Sequence, residues 1–351
     1  MRSALRVVQP GLQTTVQDLG RTGHQRLGIP VSGALDMVAL RAANIVAGNR
    51  QEMAGLEIAL LGPTLEVEAD SVRVALAGGR AEMEITRVSG ETERVRPLQS
   101  VHLLRGDRVR VGTIGDSAVA YLAIEGGLEL APFMGSLSTY VRGGFGGFEG
   151  RALRPGDRLG LSKAAVEVRP ELRLEGLALE GLALGVPSEV RVVLGPQADY
   201  FTSDATVTFL DTPYAVSREA DRMGLRLEGQ VLAHAKGSNI VSDGIAPGAI
   251  QVPGSGQPIV LLADRQTTGG YPKIATVISA DLPALGRVKP GAVIRFKAVS
   301  VAEAQAARRA LEAEINGLAG RRVVVRAQGL DVEQLYAANL VSGVVDGHLG
   351  E

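Results

Sequence analysis

Short apolar runs recur along the whole chain, and most of them are bounded by glycine, proline or aspartate. Runs of this length, rich in valine and isoleucine and separated by turn residues, are typical of β-strands. They predict a mainly β protein built from barrels or sandwiches. The predicted strands cover residues 5–8, 72–76, 109–111, 119–124, 190–194, 207–210, 259–262, 274–278 and 293–296.

Two segments have the periodicity of an amphipathic helix instead. One begins at Leu35 and is stopped by Gly48, and the other opens with Ser300 and Glu303 in the spacing of a capping box and ends at Gly317. Such a stripe normally faces a core, so both helices are predicted to be structural. The apolar positions are Leu35, Val38, Ala42 and Ile45 in the first segment, and Ala304, Ala307, Leu311 and Ile315 in the second.

The length of 351 residues is sufficient for two cores of ordinary domain size. A turn that leads into a strand recurs at residues 97–107, 154–159 and 283–291, which favours two similar barrels. We predict an N-terminal barrel domain at residues 1–165, a crossover at 166–187, a C-terminal barrel domain with a capping helix at 188–320, and a tail at 321–351.

Charge and composition exclude several classes of protein. The net charge is −1, with acids and bases interspersed, so the chain has no basic surface for nucleic acid or for an anionic membrane. The absence of cysteine excludes disulfides, thiolate metal sites and a cysteine nucleophile. Neither a signal peptide nor a run of about twenty apolar residues is found, so we expect a soluble, cytoplasmic protein whose partners are small molecules and proteins.

Polar residues and glycines gather in two places, at residues 17–36 and 237–273. Glycine lets the backbone approach a ligand closely, while Asp, Arg, Gln and His provide directional hydrogen bonds. Within residues 237–273, the strand-like residues 249–253 are followed by the polar run 264–273. We expect two adjacent strand ends to bring their polar groups to one rim.

The usual catalytic signatures are missing from this sequence. It has no Gly-x-Ser-x-Gly elbow, no phosphate loop that ends in Gly-Lys-Ser/Thr, and no His-Glu-x-x-His helix. Its four histidines lack metal-ligand spacing, so no metal site is expected, and ATP hydrolysis is expected to belong to another chain. The glycine-rich residues 143–150 favour a loop that covers the substrate.

Read in order, these motifs resemble the family of allophanate hydrolase subunit 2, urea amidolyase-related and biotin-dependent carboxyltransferase proteins, above all its branch of 5-oxoprolinase C-type subunits. The resemblance implies cyclophilin-like β-barrel domains and a partner of the subunit 1 type that shares the active site. The matching motifs are residues 15–21, 30–36, 44–48, 237–239, 242–244, 251–253 and 264–272.

The resemblance implies a component of an ATP-dependent 5-oxoprolinase, a hydrolase complex that opens 5-oxo-L-proline to L-glutamate. The chain would be inactive without its B-type and A-type partner proteins, and ATP would be bound by the complex. Two alternatives stay open. One is the carboxyltransferase component of a biotin-dependent urea carboxylase or amidolyase system, and the other is a non-catalytic antagonist of a histidine kinase inhibitor. Self-association is also open.

An unactivated amide is a poor electrophile, so an enzyme must activate it and stabilise the oxyanion that develops. Glutamine can donate to a carbonyl and accept from an N–H, while arginine and lysine can neutralise a carboxylate or phosphate. We therefore assign candidate catalytic roles to Asp264, Gln266 and Asp243. The candidate substrate-binding residues are Gln251, Arg265, Thr268, Tyr271, Lys273 and Asn239.

Two of these assignments have structural alternatives. Asp264 and Arg265 would form an ion pair if neither of them took part in chemistry. The polar stretch at residues 17–36 would supply a partner interface or a second site, through Gln17, Asp18, Arg21, His24 and Asp36.

Overall fold

The computed structural model describes residues 3–175 and 189–325, and these residues form two β-rich halves. The helices in this part of the chain are α1 (Met37–Ala47), α2 (Ser203–Asp211), α3 (Leu282–Leu285) and α4 (Val301–Gly317). Single 3-10 turns occupy Gln25–Leu27, Val141–Gly143, Ala198–Tyr200 and Leu318–Arg321.

The strands of the N-terminal half are β1 (Ala4–Gln9), β2 (Gln13–Gln17), β3 (Gly55–Ala59), β4 (Thr64–Val67), β5 (Ser71–Ala77), β6 (Met83–Thr86), β7 (Thr92–Val95), β8 (Ser100–Leu104), β9 (Arg108–Val111), β10 (Val119–Ile124), β11 (Arg158–Gly160) and β12 (Leu172–Leu174). Those of the C-terminal half are β13 (Glu189–Leu194), β14 (Tyr214–Val216), β15 (Gly224–Glu228), β16 (Asp243–Gly244), β17 (Ala249–Gln251), β18 (Ile259–Leu261), β19 (Thr268–Gly269), β20 (Lys273–Val277), β21 (Val293–Ala298) and β22 (Arg322–Val324). The fold is therefore mainly β, as predicted.

Two sheets enclose the core of the N-terminal half. One has six strands in the order β11-β1-β4-β9-β6-β7, and the other has five in the order β2-β3-β10-β5-β8. Strand β9 alternates exposed arginines with buried valines, which is the pattern of a strand with one face in the core. Strands β5 and β10 are buried throughout, because α1 packs on the outer face of the five-stranded sheet.

Helix α1 is confirmed two residues later than the first predicted position. The Asp36 carboxylate caps its start by accepting from the backbone N–H groups of Val38 and Ala39, each at 3.0 Å. Gly48 ends it in the left-handed conformation with φ 87°, which a residue with a Cβ adopts only with strain.

A closed barrel of seven strands forms the C-terminal half, in the order β13-β20-β17-β18-β15-β14-β21. Fully buried apolar residues such as Val190, Phe209, Ile250 and Ile294 fill it. Eight of the nine predicted strands are confirmed, as β1, β5, β9, β10, β13, β18, β20 and β21. The predicted turns at residues 105–107, 154–157 and 289–291 each lead into a strand.

The strand predicted at residues 207–210 is wrong, since these residues lie in α2. The Thr202 side chain caps the helix by accepting from Ala205 N at 3.1 Å. Ala205 and Phe209, four residues apart, face the barrel core, whereas the β-branched Val207 is 57% exposed. The prediction fails because a short apolar run resembles a strand even where its buried positions have helical spacing.

Helix α4 opens with the predicted capping box. Glu303 N donates to Ser300 Oγ at 3.2 Å, and Ser300 N donates to Glu303 Oε2 at 2.8 Å. Its buried residue Ile315 packs in the cluster that includes α1, so the last helix of the barrel half returns to the N-terminal half. None of the helices in residues 3–175 and 189–325 combines the length and apolar character that a membrane crossing requires.

The predicted crossover and the predicted tail meet as a pair of strands, because β12 pairs antiparallel with β22. Arg73, fully buried in β5, fixes the residues just before β12 through Glu171, with 3.2 Å between Nε and Oε2, and it also contacts Glu125 at 2.6 Å. Residues 176–187 of the predicted crossover and 326–351 of the predicted tail lie outside the described residues.

Truncating Phe209 tests the placement of α2 against the barrel. Its ring stacks on Phe296 with 4.6 Å between centroids, so Phe209→Ala should lower the free energy of unfolding by about 3–5 kcal/mol. The matched change Val207→Ala, on the exposed side of the same helix, should shift it by less than about 0.5 kcal/mol. Chemical denaturation of both variants provides the comparison, and equal losses would contradict this orientation of α2.

Candidate functional site

A buried network of charges joins the two halves. Arg222, from the loop before β15, donates from Nε to Asp264 Oδ2 at 2.8 Å and from Nη2 to the carbonyl oxygen of Gly33 at 2.7 Å. Its Nη1 donates to Glu57 Oε1 in strand β3. Burial on its own would lower the pKa of Arg222, but the charges of Glu57 and Asp264 raise it above its ordinary value. Arg222 is therefore a permanent cation between two carboxylates.

Tyr121 extends this network into the N-terminal half. Its hydroxyl donates to Glu57 Oε2 at 2.6 Å and accepts from the backbone N–H of Asp36 at 2.8 Å. Burial, followed by the neighbouring charge of Glu57, raises the pKa of Tyr121 well above its ordinary value. The hydroxyl therefore stays protonated at neutral pH and remains a hydrogen-bond donor to Glu57.

Asp36 forms the second charged contact between the halves, with 2.5 Å between Arg287 Nε and Asp36 Oδ2. Both side chains are buried, and the same carboxylate caps α1. A carboxylate removed from water must be paired and hydrogen-bonded, and this one is. Asp36, which the sequence suggested for a partner interface, is therefore an internal helix cap without a partner-facing surface.

A cleft of about 450 Å³ opens above this network, between the two halves. We call it the inter-half cleft. Glu57, Arg222 and Asp264 are among the residues that line it, and most of the others are apolar, including Leu12, Leu60, Val119, Val141, Leu262 and Pro290. Asp264 lines this cleft and is held by Arg222, so the suggested ion pair between Asp264 and Arg265 is wrong.

A second cleft, of about 740 Å³, runs along the barrel, and we call it the barrel cleft. It brings together three of the predicted residues, Gln251, Gln266 and Tyr271. Gln266 Nε2 donates to Gln251 Oε1 at 3.3 Å, which confirms that the two strand ends bring their amides to one rim. Gln251 and Gln266 therefore act as a pair on one wall of this cleft.

The amide nitrogen of Gln251 is the most informative atom of the barrel cleft. The side chain is 2% exposed, and its Nε2 has no acceptor among the described residues. A Cβ at Gly269 would lie 2.6 Å from this nitrogen, so only glycine leaves the space beside it open. A buried donor without a partner costs about 1–3 kcal/mol. A carbonyl oxygen bound there would remove that cost.

Arg265 is a buried cation close to this amide pair. It is 2% exposed, and its Nε and Nη1 donate to the carbonyl oxygens of Ile245 and Leu262, each at 3.2 Å. Burial lowers the pKa of Arg265 to about 10, and no carboxylate among the residues described here pairs with it. Ile245 also borders the space beside Gly269. Arg265 is therefore a buried positive charge inside the barrel wall, one residue before Gln266 in the chain.

Lys273 and Asp243 are already engaged with each other. The distance from Lys273 Nζ to Asp243 Oδ2 is 2.7 Å, and the ammonium also donates to the carbonyl oxygen of Gly244 at 3.3 Å. The hydrogen bond from Lys273, and then the one from Gly244 N, lower the pKa of the Asp243 carboxyl, which makes it a weak base at neutral pH. Thr268 and Asn239 are both exposed, and Thr268 lies in the ribbon formed by β16 and β19.

Asp18 is partly exposed, and its carboxylate accepts several hydrogen bonds from within the N-terminal half. Its carboxylate accepts from Gly20 N at 2.8 Å, Leu137 N at 2.6 Å and Ser136 Oγ at 2.7 Å, and also from Ser138 Oγ. These contacts fix the segment around residue 137 against the end of β2. The role of Asp18 at a partner interface or second site stays a prediction, since its side chain is also partly exposed.

Arg21 and Gln17 also contact the segment around residue 137. Arg21 donates to the carbonyl oxygen of Ser138, and its guanidinium lies 5.2 Å from the ring centroid of Phe145. Burial is the main reason why the pKa of Arg21 is lowered. Gln17 is buried and donates to the carbonyl oxygen of Thr139 at 3.1 Å. Both face inward, whereas His24, at the start of a 3-10 turn, is partly exposed.

The sequence did not single out Glu57, Tyr121 or Arg222. Glu57 carried a weak signal, because a carboxylate between Leu56 and Ile58 in an apolar strand must find a buried partner. Arg222 carried none, since residues 218–222 have the composition of an exposed charged turn. Within the described residues, no group of three or more His, Asp or Glu side chains is arranged to hold a metal ion.

Comparison with known proteins shows which family this chain resembles. The sequence matches the family described as carboxyltransferase domain, subdomain A and B, over residues 27–298. It is 38% identical to the C-type subunit of 5-oxoprolinase from Escherichia coli K12, over 90% of this chain and 98% of that protein. The corresponding protein of Haemophilus influenzae is 36% identical, over 89% and 96%. The crystal structure of K. lactis urea amidolyase superposes with a TM-score of 0.81 and 30% identity, covering 91% of this chain but 20% of that one.

Removing the cation of the buried network should destabilise the folded protein. Arg222→Met leaves Glu57 and Asp264 buried without their partner, so the free energy of unfolding should fall by about 3–5 kcal/mol. The loss should shrink as the pH is lowered, because protonation removes the uncompensated charges.

Chemical denaturation over a range of pH measures this effect. The control is Arg158→Gln, which removes an exposed pair with Glu68 and should cost at most about 1 kcal/mol. If Arg222→Met costs no more than this control, the network does not hold the halves together.

Proposed function

The chain belongs to the carboxyltransferase domain family, subdomain A and B, and on that premise we propose that it is the C-type subunit of an ATP-dependent 5-oxoprolinase complex. Two relatives that match nearly end to end are, by name, C-type subunits of 5-oxoprolinase. In this role the chain acts with a B-type protein, which is the partner of the subunit 1 type, and with an A-type protein. The overall reaction opens 5-oxo-L-proline to L-glutamate and consumes ATP.

The unpaired amide nitrogen of Gln251 is the observation that supports this proposal most directly. A lactam carbonyl placed beside Gly269 would accept a hydrogen bond from Gln251 Nε2, and Gln266 holds that amide in position. As the carbonyl oxygen gains negative charge, the hydrogen bond strengthens, so it favours the transition state over the bound substrate. The positive charge of Arg265 would act on the same oxygen.

The carboxylates that the sequence suggested as bases take other roles in this proposal. Asp264 orients Arg222 below the inter-half cleft, and Asp243 is held as an anion by Lys273. We therefore assign proton transfer and ATP binding to the partner proteins. The sequence agrees with that division, since it has no phosphate loop that ends in Gly-Lys-Ser/Thr.

Carboxyl transfer is the second candidate function. The similarity to K. lactis urea amidolyase favours it, because the superposition covers 91% of this chain. The paired amides of Gln251 and Gln266 would suit urea as well as a lactam. Biotin would then be carried by another protein, since this sequence has no Met-Lys pair. Activity that requires a biotinylated carrier and is blocked by avidin would identify this function.

Omitting one protein at a time tests the proposed complex. The chain mixed with its co-encoded partner proteins, ATP and 5-oxo-L-proline should release glutamate, and leaving out this chain should abolish the release. The chain alone should show none, because the proposal assigns proton transfer and ATP binding to the partner proteins. An assembled complex, verified by size-exclusion chromatography, that releases no glutamate would overturn the proposal.

Replacing Gln251 tests its role as an oxyanion donor. Gln251→Ala in the assembled complex should lower kcat for glutamate release by about 10²-fold, which is typical for loss of one such donor. The matched control is Gln9→Ala, which removes an exposed glutamine from β1, outside both clefts, and should leave kcat unchanged. Equal rates for the two variants would remove Gln251 from the proposed site.

A further inference from the structure

Arg142 stands where the two clefts meet. It belongs to the 3-10 turn Val141–Gly143, at the start of the glycine-rich segment that the sequence marks as a covering loop. Arg142 and Asp221 line both the inter-half cleft and the barrel cleft. The side chain reaches from the N-terminal half to the barrel, where its Nη2 donates to Asp221 Oδ2 at 2.7 Å. This pair divides one cleft from the other.

The two members of the pair are held very differently. Asp221 is fixed to the barrel, because its Oδ1 accepts from Met223 N at 2.8 Å and from Gly224 N at 3.2 Å. Arg142 is 60% exposed, and its Nε and Nη1 have no hydrogen-bond partner among the described residues. Most of the guanidinium fork is therefore open to a second acceptor, and a carboxylate matches its two-pronged geometry.

Two of the other cations near the barrel cleft are engaged inside the barrel half, and the third, Arg226, is exposed but stands on the barrel side of the cleft. Lys273 is buried against Asp243, and Arg265 donates to two backbone carbonyls inside the barrel wall. Arg226 lines the cleft and lies 3.4 Å from Glu219. It stands on strand β15, whereas Arg142 comes from the opposite half. Only Arg142, of these four, faces the barrel from across the cleft.

We propose that Arg142 determines substrate specificity by exchanging Asp221 for the carboxylate of 5-oxo-L-proline. This inference rests on the proposed function and adds the recognition of the substrate's second group to the Gln251 amide. The lactam carbonyl would bind at Gln251, and the carboxylate, carried by the ring carbon on the other side of the lactam nitrogen, would pair with Arg142 across the cleft. Lactams that lack the carboxylate are then bound weakly.

The test compares KM values in the assembled complex. Arg142→Gln should raise the KM for 5-oxo-L-proline by about tenfold or more, since a charge-assisted hydrogen bond is lost, and should change kcat little. The inhibition constant of 5-oxo-L-prolinamide, which has the same ring but no charge, should stay within about twofold. Arg158→Gln is the matched control, because Arg158 is as exposed as Arg142 and its pair with Glu68 lies outside both clefts, and it should leave every constant unchanged.

Several outcomes would overturn this proposal. They are an unchanged KM for 5-oxo-L-proline, an equal rise produced by Arg226→Gln in place of Arg142→Gln, and a rise confined to the KM for ATP, which would identify the bound anion as a phosphate. A fall in kcat alone would also contradict it, because Arg142 would then act in chemistry or assembly.

Releasing Arg142 from its tether gives a result in the opposite direction. Asp221→Asn keeps the Oδ1 atom that accepts from the turn but weakens the pair with Arg142. The substrate carboxylate then competes with a weaker partner for Arg142. The KM for 5-oxo-L-proline should therefore fall or stay equal. If Arg142 only latched the halves together, Asp221→Asn would impair the complex as Arg142→Gln does. Wild-type complex that fails to release glutamate would refute the proposed function itself, whereas active wild type with a normal Arg142→Gln KM refutes this inference alone.

Discussion

The protein depends on burying the guanidinium of Arg222 between the carboxylates of Glu57 and Asp264. Arg222 and Asp264 come from the barrel half and pair there, whereas Glu57 comes from the N-terminal sheet, so the Glu57 carboxylate finds its cation only when the halves meet. The Asp36–Arg287 pair repeats this constraint nearby. Leaving a buried charge unpaired costs far more than a lost surface contact, so both pairs fix the relative position of the halves. The inter-half cleft, which both halves line, takes its shape from that position.

The sequence predicted the parts of this structure that depend on local patterns. Strands such as β5 and β10, helix α1 with its Gly48 stop, and the capping box of α4 follow from periodicity and end signals. Contacts between distant segments could not be predicted in the same way. Helix α2 was missed because Val207 and its neighbours have strand propensity, while tertiary packing of Ala205 and Phe209 decided for a helix. Arg222 had no local signal at all.

The predictions for the candidate site show the same difference between local patterns and contacts of distant segments. The pairing of Gln251 with Gln266 was expected from two adjacent strand ends, and it is present. The consecutive residues Asp264, Arg265 and Gln266 were expected to act together, yet Asp264 faces the inter-half cleft while Gln266 faces the barrel cleft. Polar residues close in sequence can thus serve two surfaces, and only the path of the backbone decides which. Arg21 similarly proved to be internal, because it is buried and donates to the carbonyl oxygen of Ser138.

The pairing of β12 with β22 has a consequence for the connectivity of the chain. Strand β12 follows the N-terminal half and β22 follows the barrel, and α4 lies back against α1 through Ile315 and the Arg41–Glu312 contact. The two halves are therefore joined by the β12–β22 strand pair and by the packing of α4 against α1, in addition to the buried charged pairs between them. A polypeptide cut once between them would remain a single particle, and its two pieces, made separately, would be suited to reassemble as complementing fragments.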